Sequence, residues 1–255
     1  MPASAPDRRR IVGTSLKMYF DLPGTLSYVK SVAELSGLAS QLNVDLFVIP
    51  DFVSLLPSQD LLKDTKVQLG AQDTFWESRG AYTGEVSPLN LAQAGVKIVE
   101  IGHAERRRIF HETDEEVAKK AAAIVANGMT PLVCIGEKSH GQVASQAVGM
   151  AINECGPQIQ AVIKSVPDEA EVIFAYEPVW AIGAAEPAPG DHVVAVTQQL
   201  RKLVEHRKGL TRILYGGSAG RGTFLNLKDG VDGLFLGRFA HDVNNLGQVI
   251  KEMAL

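Results

Sequence analysis

Apolar and polar positions along the chain alternate between two rhythms. Short, almost wholly apolar and β-branched runs recur at Ile11–Gly13, Asp45–Ile49, Val67–Ala71, Lys97–Ile101, Pro131–Ile135, Glu171–Tyr176, Arg212–Tyr215 and Gly233–Leu236. Runs of about four to six residues with no polar face fit strands covered on both sides. Amphipathic stretches of helical period lie between them. Thr113-Asp-Glu-Glu116 forms a capping box, in which the Thr113 hydroxyl accepts from the Glu116 amide and the Glu116 carboxylate reaches back. That helix is predicted to run through Val117 to about Asn127, with Gly128 as the residue that ends it. A second helix is predicted from Asp191 to about Arg207, with Gly209 beyond it.

Eight strands alternating with helices predict an α/β fold, a (β/α)8 barrel in one domain spanning 1–255. Residues 1–9 read as a loose lead-in. An open doubly wound sheet is the competing architecture, but no Gly-x-Gly-x-x-Gly follows the first strand, which counts against its dinucleotide-binding form.

Composition narrows the chemistry. The chain has 255 residues and a formal net charge of −4. No basic excess points to nucleic acid or to an anionic membrane surface, so an anionic substrate needs a local positive site. The two cysteines, Cys134 and Cys155, make no disulfide framework, and no Cys/His cluster has metal-ligand spacing. Cys134 reads as a small core residue. The N-terminus lacks the apolar stretch of a secretory signal, and no apolar run approaches the ~20 residues of a membrane span. A cytoplasmic protein, without metal or cofactor, fits these features.

In a barrel, sites form where strands end and the following loops begin. Polar or small residues at those points are Lys17, His103, Glu105, Glu177, Gly216-Gly217-Ser218 and Gly237-Arg238. The run Phe174-Ala-Tyr-Glu-Pro-Val-Trp-Ala-Ile-Gly183 puts a carboxylate at the exit of a buried strand and a hinged segment behind it. That layout suits proton abstraction under a closing lid. A rim glutamate in a surface salt bridge, a satisfied structural histidine and a solvated lysine are the ordinary alternatives.

The segments Lys17-Met18, Gly80–Ser87, Ile101-Gly-His-Ala-Glu-Arg-Arg107, Cys134-Ile-Gly-Glu137, Ala175–Gly183, Tyr215-Gly-Gly-Ser218 and Asp232–Gly237 occur in order from the first strand to the last. Together they resemble the triosephosphate isomerase family. The resemblance implies a cofactor-free aldose–ketose isomerisation of a small phosphosugar through an enediolate, in glycolysis and gluconeogenesis. Glu177 would be the base and His103, before a helix whose dipole disfavours the imidazolium, the electrophile. Lys17 would supply fixed positive charge, and Glu105 would pair with it. Backbone amides of Gly183, Gly217, Ser218 and Gly237 would bind phosphate, with the lid running from Pro178 to about Ala188. The Gln72–Ser87 loop, carrying Phe75, Trp76 and Tyr82, would enter a neighbouring subunit beside its Lys17 in a homodimer.

Departures from the family pattern cluster at the substrate. Ser15 stands where the family usually has Asn, Ala184-Ala-Glu-Pro-Ala-Pro-Gly190 replaces the usual lid hinge, and Gly237-Arg238 replaces Gly-Gly. Ala104, where Ser is common, is a milder change. Pro187 and Pro189 fix φ and stiffen the hinge, and the Arg238 guanidinium stands near the anion or turns to solvent. These changes resemble the branch acting on tetrulose phosphates such as L-erythrulose 1-phosphate, with Ser15 and the lid leaving room for one extra hydroxymethine. Triose phosphate turnover is the preferred reading at this point, because the core motifs serve both. A non-catalytic barrel that binds phosphosugars is a third reading, opposed by the intact Lys17, His103 and Glu177.

Overall fold

The computed structural model describes residues 9–139, 141, 143–182 and 187–255. Its strands are β1 Arg10–Ser15, β2 Val44–Ile49, β3 Gln68–Ala71, β4 Ile98–Ile101, β5 Thr130–Ile135, β6 Val172–Tyr176, β7 Thr211–Tyr215 and β8 Gly233–Leu236. Every predicted strand forms, with ends within two residues of expectation. Each strand pairs in parallel with the next, and β8 closes on β1 through Ile11↔Gly233 to Thr14↔Leu236. The sheet is therefore a closed parallel barrel with helices outside it, and no strand edge is left open.

Closure sorts side chains by parity. Residues such as Ile11, Phe47, Ile98, Cys134, Ile173 and Leu214 fill the lumen. Their neighbours Val12, Val48, Val99, Val133, Val172 and Ile213 pack outward against the helices. Both faces are dry, so the strands carry no polar alternation.

The capping box at Thr113 forms as predicted, with both reciprocal bonds, and its helix runs Asp114–Ala126 with Asn127 at the C-cap and Gly128 at φ 73°. The predicted helix from Asp191 starts one residue early, at Gly190, and stops at Lys202. The early stop has a local cause. Leu203 and Val204 donate to the carbonyls three residues back, which tightens the turn. Arg207 then turns inward and donates to the carbonyls of Pro167 and Ala170.

A buried ionic cluster fixes the loops after β3 and β4 relative to each other. Lys120, 4% exposed, donates to Asp73 at 2.8 and 3.0 Å and also contacts Glu112. Arg106 Nε reaches Asp73 at 2.8 Å, and Glu112 accepts from the Gly102 amide at 3.0 Å. Gly102 immediately precedes His103, so this cluster sets the exit of β4. Removing Lys120 leaves two buried carboxylates with Arg106 as their shared counter-charge, whereas removing a surface cap loses two exposed bonds. Lys120→Met is expected to cost about 3–5 kcal/mol in urea unfolding, against about 1 kcal/mol for Thr113→Ala; equal losses would contradict the ranking.

Candidate active site

The exit of β1 is strained on purpose. Lys17 has φ 49°, in the left-handed region, which costs an L-residue about 1–2 kcal/mol. The Leu16 amide bonds to Ile49 at 2.9 Å and the Gln72 side chain donates to the Lys17 carbonyl at 2.9 Å, and these hold the turn. The turn aims the ammonium at the barrel mouth, where it donates to Glu105 Oε1 at 2.8 Å. Burial pulls the Lys17 ammonium down, but the Glu105 hydrogen bond and charge hold it above its ordinary value. Burial pushes Glu105 up, and the Lys17 hydrogen bond and neighbouring charges bring it below the usual carboxylate range.

His103 caps the helix Ala104–Ile109, and its Nδ1 accepts from the Glu105 amide at 3.1 Å. That bond assigns the proton to Nε2. Burial, and then the Lys17 charge, lower the imidazole to about 4. His103 is therefore neutral at pH 7, and it presents an Nε2–H. This nitrogen stands 3.5 Å from Lys17 Nζ and 3.4 Å from Glu177 Oε2. Two donors that close together cannot serve each other; they can share an oxygen placed between them.

Glu177 leaves β6 with its amide bonded to the Ile135 carbonyl at 2.8 Å. It is 4% exposed. Burial, with the nearby Glu100 charge adding to it, pushes the carboxyl up to about 8, against the opposing pull of Lys17. Its Oε2 has no hydrogen-bond partner among the described residues. Two glycines make this placement possible by close approach. A Cβ on Gly216 would lie 2.5 Å from Glu177 Oε1, and one on Gly136 would lie 1.9 Å from the Glu177 carbonyl oxygen.

Gly217, Ser218, Gly237 and Arg238 line the same pocket of about 500 Å³ as Ser15, Lys17, His103, Glu105 and Glu177. The structure thus brings together the predicted site residues it describes. Gly183 lies outside the described residues, as do the lid positions 184–186. Pro187 lines the pocket, and Pro189 immediately precedes the helix Gly190–Lys202. Arg238 is exposed, with its guanidinium carbon 6.0 Å from the centre of the Tyr19 ring.

Several residues here escaped the sequence reading. Glu137, fully buried, accepts from Tyr176 Oη at 3.1 Å and from Trp180 Nε1 at 2.7 Å, and so anchors the segment after Glu177. Glu100 is a carboxylate inside β4; its signal was a charge within the apolar run Ile98-Val-Glu-Ile101. Gly136 and Gly216 lie in segments that carry the family resemblance, but their close approach to Glu177 was not read from them. No group of His, Cys, Asp or Glu among the described residues is placed to hold a metal ion.

The arrangement can move a proton. A desolvated carboxylate stands beside a neutral N–H donor and an ammonium, next to small residues whose amides can approach an anion. Fold and site together define a barrel enzyme built for carbon-acid chemistry on an anionic substrate. The chain belongs to the triosephosphate isomerase family, whose pattern matches residues 10–253, and it is a sugar-phosphate isomerase. It is 43% identical to the L-erythrulose-1-phosphate isomerase of Pectobacterium atrosepticum over 253 residues, 96% of each chain. It is 37% identical to the L-erythrulose-1-phosphate isomerase of Rhizobium etli, covering 95% of this chain and 92% of that one. It is 38% identical to the triosephosphate isomerase of Thermoanaerobacter pseudethanolicus over 216 residues, 83% of this chain and 85% of that one.

Glu177→Gln is expected to lower kcat by about 10²–10⁴-fold with little change in KM. The same variant has a stability signature. The folded carboxyl holds its proton up to about 8, whereas its ordinary value is 4.5. The wild type therefore loses stability as pH rises between those values, and Glu177→Gln removes that part of the slope. Urea unfolding of both proteins across this pH range checks it; identical slopes would contradict the burial argument.

Proposed function

We propose that the protein isomerises a four-carbon ketose phosphate, L-erythrulose 1-phosphate. The catalytic groups suit any phosphosugar whose hydroxyl-bearing carbon lies next to a carbonyl. What favours the longer substrate is the wall of the pocket at Ser15. Ser15, 4% exposed, lines it with a short side chain whose Oγ has no hydrogen-bond partner among the described residues. The likeness to L-erythrulose-1-phosphate isomerases over almost the whole chain supports the same substrate. This weighting reverses the preference for triose phosphate drawn from the core motifs, which serve both reactions.

The mechanism follows from the carbon skeleton. Counting from the phosphate, a tetrulose phosphate has a methylene, the C2 carbonyl, the hydroxyl-bearing C3 and a terminal hydroxymethyl. Glu177 takes the C3 proton as its electron pair moves into the C2–C3 bond. His103 Nε2–H and the Lys17 ammonium hold the two enediolate oxygens as charge develops. Glu177 returns the proton to C2, while His103 gives its Nε2 proton to the C2 oxygen and recovers one from the C3 hydroxyl, so that the carbonyl ends on C3. The product is a ketose whose phosphate sits at the other end of the numbering, so this reaction converts one ketose to another. The additional group relative to a triose is the hydroxymethyl on the carbon that loses its proton, rather than a hydroxymethine. Gly217, Ser218, Gly237 and the Gly183 segment cradle the phosphate in this reading, and Glu105 holds Lys17 in place. Shielding by the lid strengthens each charge interaction and protects the enediolate.

Triose phosphate turnover is the second reading, favoured by the likeness to the Thermoanaerobacter enzyme. A substrate panel separates the two. The expected result is a kcat/KM at least about tenfold higher on L-erythrulose 1-phosphate than on glyceraldehyde 3-phosphate, the discrimination that one extra carbon group can supply. The reverse preference would establish the triose reading.

The whole of 1–255 is read as one barrel domain. No helix among the described residues is long and apolar enough to cross a membrane, and two buried, unbridged cysteines fit the cytoplasm. We infer a homodimer formed through the Gln72–Ser87 loop. Its base is closed by Phe75–Val86 and Ser87–Ser78 bonds, while residues 79–85 at its tip are exposed. Met18, Val53, Leu56, Tyr82 and Phe110 leave apolar surface on the loops after β1 to β4, as a docking face does. Sedimentation is expected to give twice the 27.4 kDa chain mass. Tyr82→Asp should yield monomers with kcat lowered about 10²-fold through misplacement of the partner's Lys17 turn; a fully active monomer would refute the role of the loop.

A further inference from the structure

Glu100 is a buried carboxylate that the isomerisation scheme leaves unused. Its neighbour two residues back on β4, Ile98, packs inside the barrel, and strand parity turns Glu100 to the same side one level nearer the pocket. It is 3% exposed, and its Oε2 has no hydrogen-bond partner among the described residues. Ser15 reaches the lumen by the same parity from Ile11. Its hydroxyl is close enough to hold the Glu100 carboxyl down, yet it is not aligned to complete a bond. Two buried, unpartnered oxygens thus face the lumen, and of these two residues only Ser15 lines the substrate pocket.

A carboxylate inside an apolar strand is costly to bury, and a valine or isoleucine would fill the space. The groups that act on Glu100 are Ser15 at the end of β1, Lys17 in the turn after it, Asp73 after β3 and Glu105 after β4. Cys134 on β5 and Glu177 after β6 feel its charge in turn. Burial pushes Glu100 to about 7; Ser15 and Lys17 pull it down, and Glu105 and Asp73 push it further up. Ionised, it is the acceptor toward which the Ser15 hydroxyl can turn. A serine that donates downward presents two lone pairs to the pocket. The enediolate oxygens of any substrate are served by His103 and Lys17. A terminal hydroxymethyl is the one further donor that a four-carbon substrate brings and a triose lacks.

We propose that Glu100 is a positioning residue for substrate length, orienting the Ser15 hydroxyl to receive the terminal hydroxymethyl of a four-carbon phosphosugar. The inference rests on the tetrulose reading above. The experiment measures kcat/KM for L-erythrulose 1-phosphate and glyceraldehyde 3-phosphate in wild type, Glu100→Gln, Ser15→Ala and the double variant, with thermal melts to confirm folding. Glu100→Gln is expected to lower the tetrulose-to-triose ratio about tenfold, within the range that one small group commands. Ser15→Ala should lower it similarly, and the double variant should fall little below Ser15→Ala because the two act in series. The wild-type ratio should also rise with pH as Glu100 ionises and be flat in Glu100→Gln. Equal losses on both substrates, or an unchanged ratio, would overturn the proposal and leave the tetrulose reading standing. Wild type inactive on the tetrulose would remove the reading itself, before any variant is compared. If Glu100→Gln does not fold, Ser15→Ala and the wild-type pH dependence decide alone.

Discussion

Everything at the mouth of this barrel depends on keeping water from one carboxyl group while holding two donors within reach of it. Glu177 is buried, and its proton affinity rises for that reason first. The same dryness keeps His103 neutral, so that it donates without carrying charge. Lys17 opposes the first effect and reinforces the second, since its ammonium favours an ionised Glu177 and disfavours a charged imidazole. The balance yields a strong base that can still ionise near neutral pH, beside an N–H donor and a fixed cation. Moving Lys17 into solvent would raise Glu177 further and let the imidazole rise toward its ordinary value.

The barrel supplies this balance through backbone geometry braced by a few buried side chains. The carboxyl sits where β6 ends because Gly136 and Gly216 let neighbouring strands approach it closely. The ammonium sits where β1 ends because a left-handed turn is held by Gln72 and Ile49. The imidazole sits where β4 ends because Glu112 and Lys120 brace the preceding glycine from behind. Each support lies on a different loop. The site is therefore as rigid as the barrel rim, while the segment after Glu177 is tied at its root to Glu137.

Much of this was legible in the sequence. Strand positions followed from apolar runs alone, because a parallel barrel buries both faces and leaves no other pattern to read. The rim residues followed from their places after those runs. Three kinds of feature were not legible. The helix beginning at Gly190 stops where Arg207 finds carbonyls far away in sequence, and local propensity cannot see them. The need for glycine at 136 and 216 is a distance between strands, which was not read from the segments that carry them. Glu100 did leave a mark, as a charge inside an apolar strand, but its meaning depends on Ser15 across the lumen. Substrate length is decided by such cross-barrel pairs, whereas the proton-transfer groups are displayed one strand at a time.

The most direct test is a carbon-13 NMR titration of the Glu177 carboxyl in the ligand-free protein. The account predicts a midpoint of about 8, moving down when the pocket is opened to water. A midpoint near 4.5, the ordinary value for a solvated glutamate, would contradict it.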